Sequence, residues 1–595
     1  MNIIKNIKNF KNRDNPKNQI LAPNYDQRRK MLLGILGFGF LMLLWSAANR
    51  QIFQKDYLQV QGKRRYLREL SIPAHRGEIT DRHSEPLAIS SPMVSVWVDP
   101  RHLPTDPKFL SKLAHIIQLP LATLQNKLAK NSKRGFVYLK RQLSPEIGKK
   151  VLAFVDRYRL GSIGIQREYR RYYPSGEIVS HVVGITDAAD RGQEGIERSQ
   201  DAHLAGRPGL RKVIQDGRRR VVEEVELVQA AAPGQPLMLS IDRRLQFLTY
   251  LELKRAVQIN NAKAGTAVVL DAQTNEILAM VNQPSFNPND RSKLIPSNMR
   301  NRAVIDLFEP GSTIKPLLVA ASIDAGKSNP HTPIDTTPGY IRVGRYTVRD
   351  IHSYGLLTVT SILTKSSNIG VTKLALALAP EYMWRMYANL GFGQRTTLYF
   401  PGEVSGYLPH FSGWSAFEQA THSFGYGLSM TALQLAAAYS VIAADGIKRP
   451  VSLLKLTTLP AGVRVLKTRT AKAVRYMMET VISKKGTAKR AAVEGYRAAG
   501  KTGTVRKAVA GGYARRRHLS VFAGMIPVER PRLVMVIMID EPRGKAYYGG
   551  LVAAPVFAKV MAGAMRILNV PPNEYPSKIQ PSKTRTRFAN NGRRF

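Results

Sequence analysis

An uncharged apolar segment near the N-terminus constrains the architecture of this chain more than any other feature. The segment runs from Met31 to Ala48, and Arg50 follows it. As a helix it is just long enough to cross a hydrocarbon core of about 30 Å. Eight lysines and arginines precede it, against Asp14 and Asp26 alone. The positive-inside rule therefore predicts a single-pass anchor in the cytoplasmic membrane, residues 31–48, with residues 1–30 forming a basic cytoplasmic tail.

A cleaved signal peptide is the alternative interpretation of this segment. Ser46, Ala47 and Ala48 are the small residues that a cleavage site needs. However, the apolar run is longer than the usual core of a signal peptide, which has about 7–15 residues, and its basic leader is long. We therefore favour an uncleaved anchor with a large periplasmic or otherwise extracytoplasmic part.

Charge and cysteine content narrow the function classes. The 595 residues include 89 Lys and Arg against 42 Asp and Glu, a net charge of +47. This excess favours an anionic partner, either nucleic acid, an anionic membrane or an anionic polymer. The chain has no cysteine, which excludes disulfides, Cys-ligated zinc, iron–sulfur clusters and thiol nucleophiles.

The external part divides near residues 230–236, where Pro and Gly cluster in the sequence AAAPGQP. Residues 49–235 contain short β-like runs separated by turn residues, which predicts a β-rich domain. Residues 236–570 form a second, globular domain. From residue 571 to residue 595 the chain is rich in Pro, Ser and Arg, which predicts a disordered basic tail.

The second domain is predicted to be α+β, an antiparallel sheet flanked by helices. Its first two strand candidates are separated by a three-residue loop in which Asn275 can adopt the left-handed conformation. Three more candidates, at 501–505, 519–526 and 533–539, are joined by short links that favour antiparallel neighbours. A helix beginning near Pro555 would cover the sheet with one apolar stripe. The stripe comprises Phe557, Val560, Met561, Ala564, Met565 and Leu568.

A Ser-x-x-Lys pair, Ser312 and Lys315, is the first candidate for chemistry. A serine hydroxyl needs a base to become a good nucleophile, and this spacing places both side chains on one face of a helix. Alone the signal is weak, because Ser452 and Lys455 show the same spacing. For an isolated pair, an exposed helix face is the better interpretation.

Two further motifs in chain order change this interpretation. Residues 366–368 read Ser-Ser-Asn, and residues 501–504 read Lys-Thr-Gly-Thr at the start of a predicted strand. The ordered triple matches the penicillin-recognising serine acyltransferases. Ser312 is therefore the predicted nucleophile. Lys315 can serve as its base if burial and the nearby cation Lys501 lower its pKa.

The resemblance assigns the remaining roles. Ser366 would relay a proton, and Asn368 would hold Lys315 and the substrate amide. Lys501, Thr502 and Thr504 would bind a substrate carboxylate, and Gly503 would leave room for substrate along the strand. The backbone N–H groups of Ser312 and Thr504 would form the oxyanion hole.

Outside these motifs the chain resembles the class B penicillin-binding proteins over roughly residues 70–570. The resemblance is carried by residues 76–82 (RGEITDR), 171–176 (RYYPSG), 424–427 (FGYG) and 547–550 (YYGG). It implies that residues 49–235 form a non-catalytic, dimerisation-type pedestal. It also implies that residues 236–570 form the transpeptidase domain.

The resemblance implies a serine-type D-Ala-D-Ala transpeptidase that cross-links peptidoglycan through an acyl-enzyme and needs no metal or organic cofactor. β-Lactams would inhibit it by leaving a stable acyl-enzyme. The sequence is most similar to the division-specific type, which implies a septal location. The implied partners are peptidoglycan stem peptides, a membrane glycan polymerase and other divisome proteins. An elongation-specific class B transpeptidase and a non-catalytic penicillin sensor or divisome scaffold remain alternatives.

Three other classes are disfavoured. A β-lactamase of class A would need a Glu-centred deacylation motif, and a bifunctional enzyme would need a glycosyltransferase motif; neither is present. The anchor and the lack of a nucleic-acid motif argue against nucleic-acid binding. The cluster at residues 515–517 (RRR) could guide an anionic glycan, although a solvated loop is the favoured interpretation. We hypothesise that the basic surface reflects an acidic external medium.

Overall fold

The computed structural model describes residues 25–215, 221–509 and 512–573. Two compact units divide the chain: one comprises the residues up to Leu70 together with Leu210–Gln229, and the other comprises Ser71–Gly209 together with Ala230 onward. Residues 1–24 of the predicted cytoplasmic tail and residues 574–595 of the predicted disordered tail lie outside the described residues.

The first unit contains the apolar N-terminal helix. Tyr25–Ala48 is α-helical and continues through a π-helical turn, Asn49–Phe53. The whole stretch Tyr25–Phe53 is long and apolar enough to cross a membrane, and none of its most apolar window is buried. The helix therefore begins six residues before the predicted span, because the charged segment just ahead of Met31 is also helical. The unit also contains the helix Lys55–Tyr66 and a three-stranded sheet of Leu67–Ile72, Gly209–Gln215 and Val221–Gln229.

The part of the second unit that precedes residue 240 combines a sheet with helices. The long strand Pro86–Val98 pairs with Ile79–Thr80, Val137–Leu143 and Ile163–Tyr172, and Leu237–Met238 extends the sheet beside Ile79–Thr80. Three helices of ten or more residues accompany these strands: Pro107–Ile116, Leu121–Lys130 and Pro145–Arg157. Three short helices follow: Ser180–Val183, Gly195–Ser199 and Asp201–Leu204. The predicted β-rich pedestal is thus a mixed α and β structure.

A buried ion cluster joins the motifs of this region. Glu197 accepts from Arg76 Nε at 2.7 Å and from Arg171 Nε at 2.6 Å, and all three side chains are fully buried. Arg76 also contacts Asp201 at 2.7 Å. Buried charges require partners of opposite sign. The resemblance motifs at 76–82 and 171–176 therefore have a structural basis in this cluster.

The centre of the region that follows residue 240 is a five-stranded antiparallel sheet. Two strands that lie outside this sheet, β3 (Tyr340–Val343) and β4 (Tyr346–Arg349), form a separate hairpin. The strands of the sheet, in chain order, are β1 (Ala264–Asp271), β2 (Ile277–Gln283), β5 (Ala499–Val509), β6 (Gly512–Ile526) and β7 (Leu533–Asp540). The spatial order is β2-β1-β7-β6-β5. Strands β1, β2 and β7 are buried almost throughout because helices cover both faces. Asn275 has a φ of +63°, so the predicted hairpin is confirmed.

The structure of residues 515–517 differs from the loop expected from the sequence. Residues 515–517 do not lie in a loop: β6 begins at Gly512 and pairs with β5 from Val509 back to Ala499. The three arginines are exposed within that strand. The strand therefore continues beyond the apolar run that predicted it, and its register with β5 is irregular between Tyr513 and His518.

Three helices carry or adjoin the motif residues, α1 (Lys315–Asp324), α2 (Val359–Lys365) and α3 (Asn368–Leu376), and a fourth, α4 (Ala554–Ile567), packs against β6 and β7. The predicted apolar stripe of α4 is buried, except that Leu568 lies just after its last residue. The remaining helices are Arg243–Ile259, Pro296–Met299, Arg302–Ile305, Pro380–Asn389, Ala416–Ser423, Ala432–Ala443, Thr468–Glu479 and Gly549–Val552. Two short antiparallel pairs complete the region: Pro333–Asp335 with Leu356–Thr358, and Ile447–Lys448 with Val463–Arg464.

Candidate active site

The predicted nucleophile lies in a tight turn that leads into α1. Ser312 belongs to the 3-10 turn Gly311–Ile314, and α1 begins at Lys315. The pair therefore spans a turn and a helix start, and not one continuous α-helix as expected. Two hydrogen bonds fix the turn: Thr313 Oγ1 donates to the Pro310 carbonyl at 2.7 Å, and the Tyr439 hydroxyl donates to the Thr313 carbonyl at 2.6 Å.

Gly311 lets this turn approach the edge of the sheet. Its φ is +52°, a conformation that glycine adopts without steric cost. A Cβ atom at this position would come within 2.5 Å of Val505 on β5. A side chain here would push the nucleophile turn away from β5.

Lys315 is fully buried and surrounded by acceptors. Its Nζ donates to the Ser366 carbonyl at 2.6 Å, to Asn368 Oδ1 at 2.7 Å and to Ser366 Oγ at 3.3 Å. Burial holds the pKa of Lys315 well below its usual range, the cation Lys501 lowers it further, and Asp350 opposes the shift. A lysine with a lowered pKa can lose its proton near neutral pH and act as a base.

Ser366 connects the two lysines. Lys501, on β5, donates from Nζ to Ser366 Oγ at 2.9 Å, and Lys315 approaches the same oxygen from α1. Burial lowers the pKa of Lys501 to about 7. Ser366 has a φ of +61°, an uncommon value for a residue with a side chain. The hydroxyl is therefore held between two buried amines, where it can pass a proton between them.

Asn368 is the first residue of α3, and its amide is fixed at both ends. Its Oδ1 accepts from Lys315, and its Nδ2 donates to the Arg349 carbonyl at 3.0 Å. Ser367 caps the same helix by accepting from the Gly370 N–H at 2.9 Å. The Ser-x-Asn motif thus bridges from α2 to α3 beside Lys315.

The Lys-Thr-Gly-Thr residues lie on β5, which forms an edge of the sheet. The Thr502 and Thr487 hydroxyl oxygens are 2.9 Å apart, and Thr504 Oγ1 accepts from the Gly549 N–H at 3.0 Å. An edge strand has unpaired backbone groups to which an extended peptide can add. The structure therefore brings all eight predicted site residues onto one turn, one helix junction and one strand.

Gly503 packs closely against the turn that carries Ser312. A Cβ atom there would lie 3.0 Å from Thr313 Cγ2 and 3.1 Å from the Pro310 carbonyl. These atoms belong to the nucleophile turn. Close packing of β5 on that turn therefore favours glycine at this position, and the expected need for room along the strand stays a prediction.

Two acidic residues near the site were not assigned a role from the sequence. Glu309 Oε1 accepts from the Gly427 N–H at 2.8 Å and from the Tyr513 hydroxyl at 3.0 Å, which ties the nucleophile turn to β6. Asp350, in the loop after β4, accepts from Ser367 and from the backbone of Asn368. Neither contact follows a fixed spacing in the sequence, so only the fold reveals them.

Comparison with known proteins agrees with this geometry. Residues 265–562 match the penicillin binding protein transpeptidase domain, and residues 71–239 match the penicillin-binding protein dimerisation domain. The peptidoglycan D,D-transpeptidase FtsI of Escherichia coli K12 is 39% identical over 565 residues, covering 94% of this chain and 95% of FtsI. FtsI of Buchnera aphidicola subsp. Schizaphis graminum is 37% identical over 534 residues, covering 89% of this chain and 93% of that protein.

A solved structure is also similar to most of the chain. The crystal structure of penicillin-binding protein 3 from Mycobacterium tuberculosis in complex with aztreonam has a TM-score of 0.66 and 28% sequence identity. The similarity covers 85% of this chain and 98% of the chain in that structure. The α+β fold with its N-terminal dimerisation-type domain is thereby confirmed.

Proposed function

The chain belongs to the penicillin-binding protein transpeptidase family, and we propose that it cross-links peptidoglycan stem peptides as a D,D-transpeptidase with Ser312 as the nucleophile. The observation that carries the proposal is the convergence of Lys315 and Lys501 on the Ser366 hydroxyl, at 3.3 and 2.9 Å. A solvated surface lysine pair would not be buried in this way. This arrangement supplies both a base and a proton relay for a serine nucleophile.

The acylation step would begin with Lys315 in its neutral form. Ser312 Oγ attacks the carbonyl carbon of the D-Ala-D-Ala amide while Lys315 accepts the hydroxyl proton. The negative charge that develops on the carbonyl oxygen is stabilised by the backbone N–H groups of Ser312 and Thr504. The C–N bond then breaks, and the departing D-Ala amine receives a proton from Lys315 through Ser366.

The second step would run the same proton path in reverse. An amine from a neighbouring stem peptide attacks the Ser312 ester and gives its proton to the relay. The new amide leaves, and Ser312 recovers its hydroxyl hydrogen. In the first step, before D-Ala departs, Lys501, Thr502 and Thr504 would hold the terminal carboxylate of the donor peptide, because β5 presents them along the free edge of the sheet.

Acylation by a β-lactam tests the nucleophile directly. The full-length protein in detergent is exposed to a fluorescent penicillin and its intact mass is measured beside Ser312→Ala. We expect one adduct on the wild type that persists for many minutes and is absent from the variant. A folded wild type without adduct would contradict catalysis by this chain alone and would favour a scaffold. Rapid loss of the adduct would indicate a β-lactamase.

We further propose that residues 31–48, within the helix that begins at Tyr25, anchor the chain with its catalytic region outside the cytoplasmic membrane. We also propose that residues 49–235 act as the pedestal of a transpeptidase domain at 236–570. The similarity to proteins named FtsI supports a role in division. We expect a membrane glycan polymerase and other divisome proteins as partners. A fluorescent fusion should label the division septum, and lateral-wall labelling without a midcell band would favour the elongation-specific alternative.

A further inference from the structure

Asp350 holds the start of α3, although it belongs to none of the three motifs. It lies directly after β4, and its side chain reaches the residues between Ser366 and α3. We propose that Asp350 is a positioning residue for acylation, which presents Ser366 and Asn368 to Lys315 and contributes the negative charge of the site. The inference rests on the proposed function, because it concerns the acylation of Ser312.

Three donors converge on this one carboxylate. Asp350 Oδ2 accepts from the Ser367 hydroxyl at 2.5 Å. Its Oδ1 accepts from the backbone N–H of Asn368 and, at 3.2 Å, from that of Ile369. A carboxylate at this place satisfies N–H groups that the helix itself leaves unpaired, and it is favoured by the helix dipole. Asp350 therefore fixes the position and direction of the first turn of α3.

The neighbouring residue fixes the Asn368 side chain. The Arg349 carbonyl accepts from Asn368 Nδ2 at 3.0 Å, so Oδ1 is the end of the amide that faces Lys315 Nζ. A reversed amide would direct its N–H groups at the lysine and lose both hydrogen bonds. The end of β4 thus holds the backbone of Asn368 through Asp350 and its side chain through Arg349.

The conformation of Ser366 explains why such an anchor is needed. Ser366 is in the left-handed region and connects α2 to α3. Residues other than glycine occupy this region at an energetic cost, and they remain there when surrounding contacts hold them. Its carbonyl lies 2.6 Å from Lys315 Nζ. Without the contacts of Asp350 to the next three residues, Ser366 could relax and move its hydroxyl away from the two lysines.

Asp350 also balances the charge at Lys315. Two charged groups act on this amine: Lys501 from β5 repels its positive form, and Asp350 from the loop after β4 stabilises it. The other contacts of Lys315, from Ser366 and Asn368, are uncharged. Removing the negative charge of Asp350 would therefore lower the pKa of Lys315 further. The acid side of the pH–rate profile would then move to lower pH, because a more acidic solution would be needed to protonate the amine.

The experiment measures the second-order rate of penicillin acylation between about pH 5 and pH 10 on the full-length protein in detergent. The variants are Asp350→Ala, Asp350→Asn, Asp350→Glu and Ser367→Ala. Asp335→Asn is the matched control, because Asp335 is exposed and also fixes a turn, through Thr337, without touching the motif residues. Thermal midpoints of all variants are recorded in parallel.

We expect Asp350→Ala to reduce the plateau rate by about tenfold or more, and Asp350→Asn to reduce it less while moving the acid limb to lower pH. Asp350→Glu should restore the wild-type acid limb. Ser367→Ala removes one of the three donors and no charge, so its plateau should fall and its acid limb should stay. Asp335→Asn should match the wild type.

The outcomes separate the two proposals. A reactive wild type whose Asp350 variants keep the plateau rate and the acid limb, or change only in thermal midpoint, overturns the positioning role alone. If the Asp350 variants fail to fold, Ser367→Ala decides, and an unchanged plateau in this variant overturns the role. A wild type that penicillin does not acylate overturns the proposed function and this inference with it.

Discussion

Two buried lysines are the unusual residues of this molecule. Lys315 and Lys501 both have no solvent-exposed surface, and charged groups are seldom buried because the loss of hydration is costly. The site lowers this cost by surrounding Lys315 with three oxygen acceptors and by allowing both amines to lose their protons more easily. The same burial that destabilises the charged form therefore makes the lysines chemically useful.

Replacing Lys501 should change how the stability of the folded protein depends on pH, because the cost of burying its charge is removed. Burial gives Lys501 a folded-state pKa of about 7, against about 10.4 in an unfolded chain. Below pH 7 both states carry the charge and the folded protein bears the full cost. Between these two values the unfolded chain binds the extra proton, so the wild type gains about 1.4 kcal/mol per pH unit.

Lys501→Met lacks this gain. The stability of the variant relative to the wild type should therefore decrease from pH 7 to pH 10, while acylation is lost at every pH. Thermal midpoints at pH 6 and pH 9 check the prediction. A constant difference between the two proteins would show that Lys501 is not titrating as described.

Lys315→Arg tests the base and not only the charge. Arginine keeps a positive charge and can donate hydrogen bonds, but it is not deprotonated in proteins and so cannot take the proton of Ser312. General-base catalysis contributes about 10²–10⁴-fold, so the acylation rate should fall by about 100-fold or more. Lys507→Arg, on the same strand and paired with Asp540, is the control. A Lys315→Arg rate within tenfold of the wild type would contradict the assignment.

The sequence predicts a residue's role in this site when a local motif carries the role. Ser312, Lys315, Ser366, Asn368 and Lys501 were identified because each belongs to a short pattern of fixed spacing. Asp350 and Glu309 were not assigned, because their partners are brought near by the β3–β4 hairpin and by β6. Gly503 shows the same limit, since its neighbours in the nucleophile turn are distant in sequence.

At the scale of elements, the strands that follow apolar runs were predicted well. β1, β2 and β7 are buried on both faces, so their sequences are continuous apolar runs, and the Asn275 turn is a local signal. The arginine-rich half of β6 lacks such a run, and its register with β5 is irregular between Tyr513 and His518, so no local pattern predicts it as a strand. The helices between residues 107 and 157 were not predicted, because the short β-like runs around them give the stronger local signal.

The buried cluster of Glu197 should dominate the stability of the pedestal region. Glu197 is the carboxylate that Arg76 and Arg171 share. Removing one partner of a buried ion pair leaves an uncompensated charge and costs about 3–5 kcal/mol. Glu197→Ala should therefore lower the thermal midpoint strongly, and Glu197→Gln should lower it less. Glu194→Ala, a partly exposed carboxylate on the same segment, should have little effect. An unchanged midpoint in Glu197→Ala would show that the two arginines find other partners.

At the scale of the whole molecule, the sequence carries a net charge of +47. The acidic residues are few, and many of those described are already engaged in ion pairs or helix caps, including Asp540 with Lys507 and Asp242 with Arg244. Described cations such as Arg515, Arg516 and Arg517 are exposed to solvent. The field of this excess charge attracts anionic polymers over a distance set by ionic strength, about 8 Å at 0.15 M salt. The hypothesis of an acidic external medium remains a prediction, and an activity optimum well above pH 7 would count against it.

A binding assay with purified peptidoglycan distinguishes attraction by positive charge spread over the whole surface from attraction by one local cluster of arginines. If the field is distributed, the protein should sediment with peptidoglycan at about 0.02 M NaCl and be largely released at about 0.5 M, because salt shortens the range of the attraction. Replacing Arg515, Arg516 and Arg517 by glutamine should then reduce binding only slightly, since three charges are a small part of the excess. Loss of most binding in this triple variant would instead locate recognition on β6, beside the Tyr513 contact with the nucleophile turn. Binding that is insensitive to salt would contradict both and would indicate that the contacts are not electrostatic.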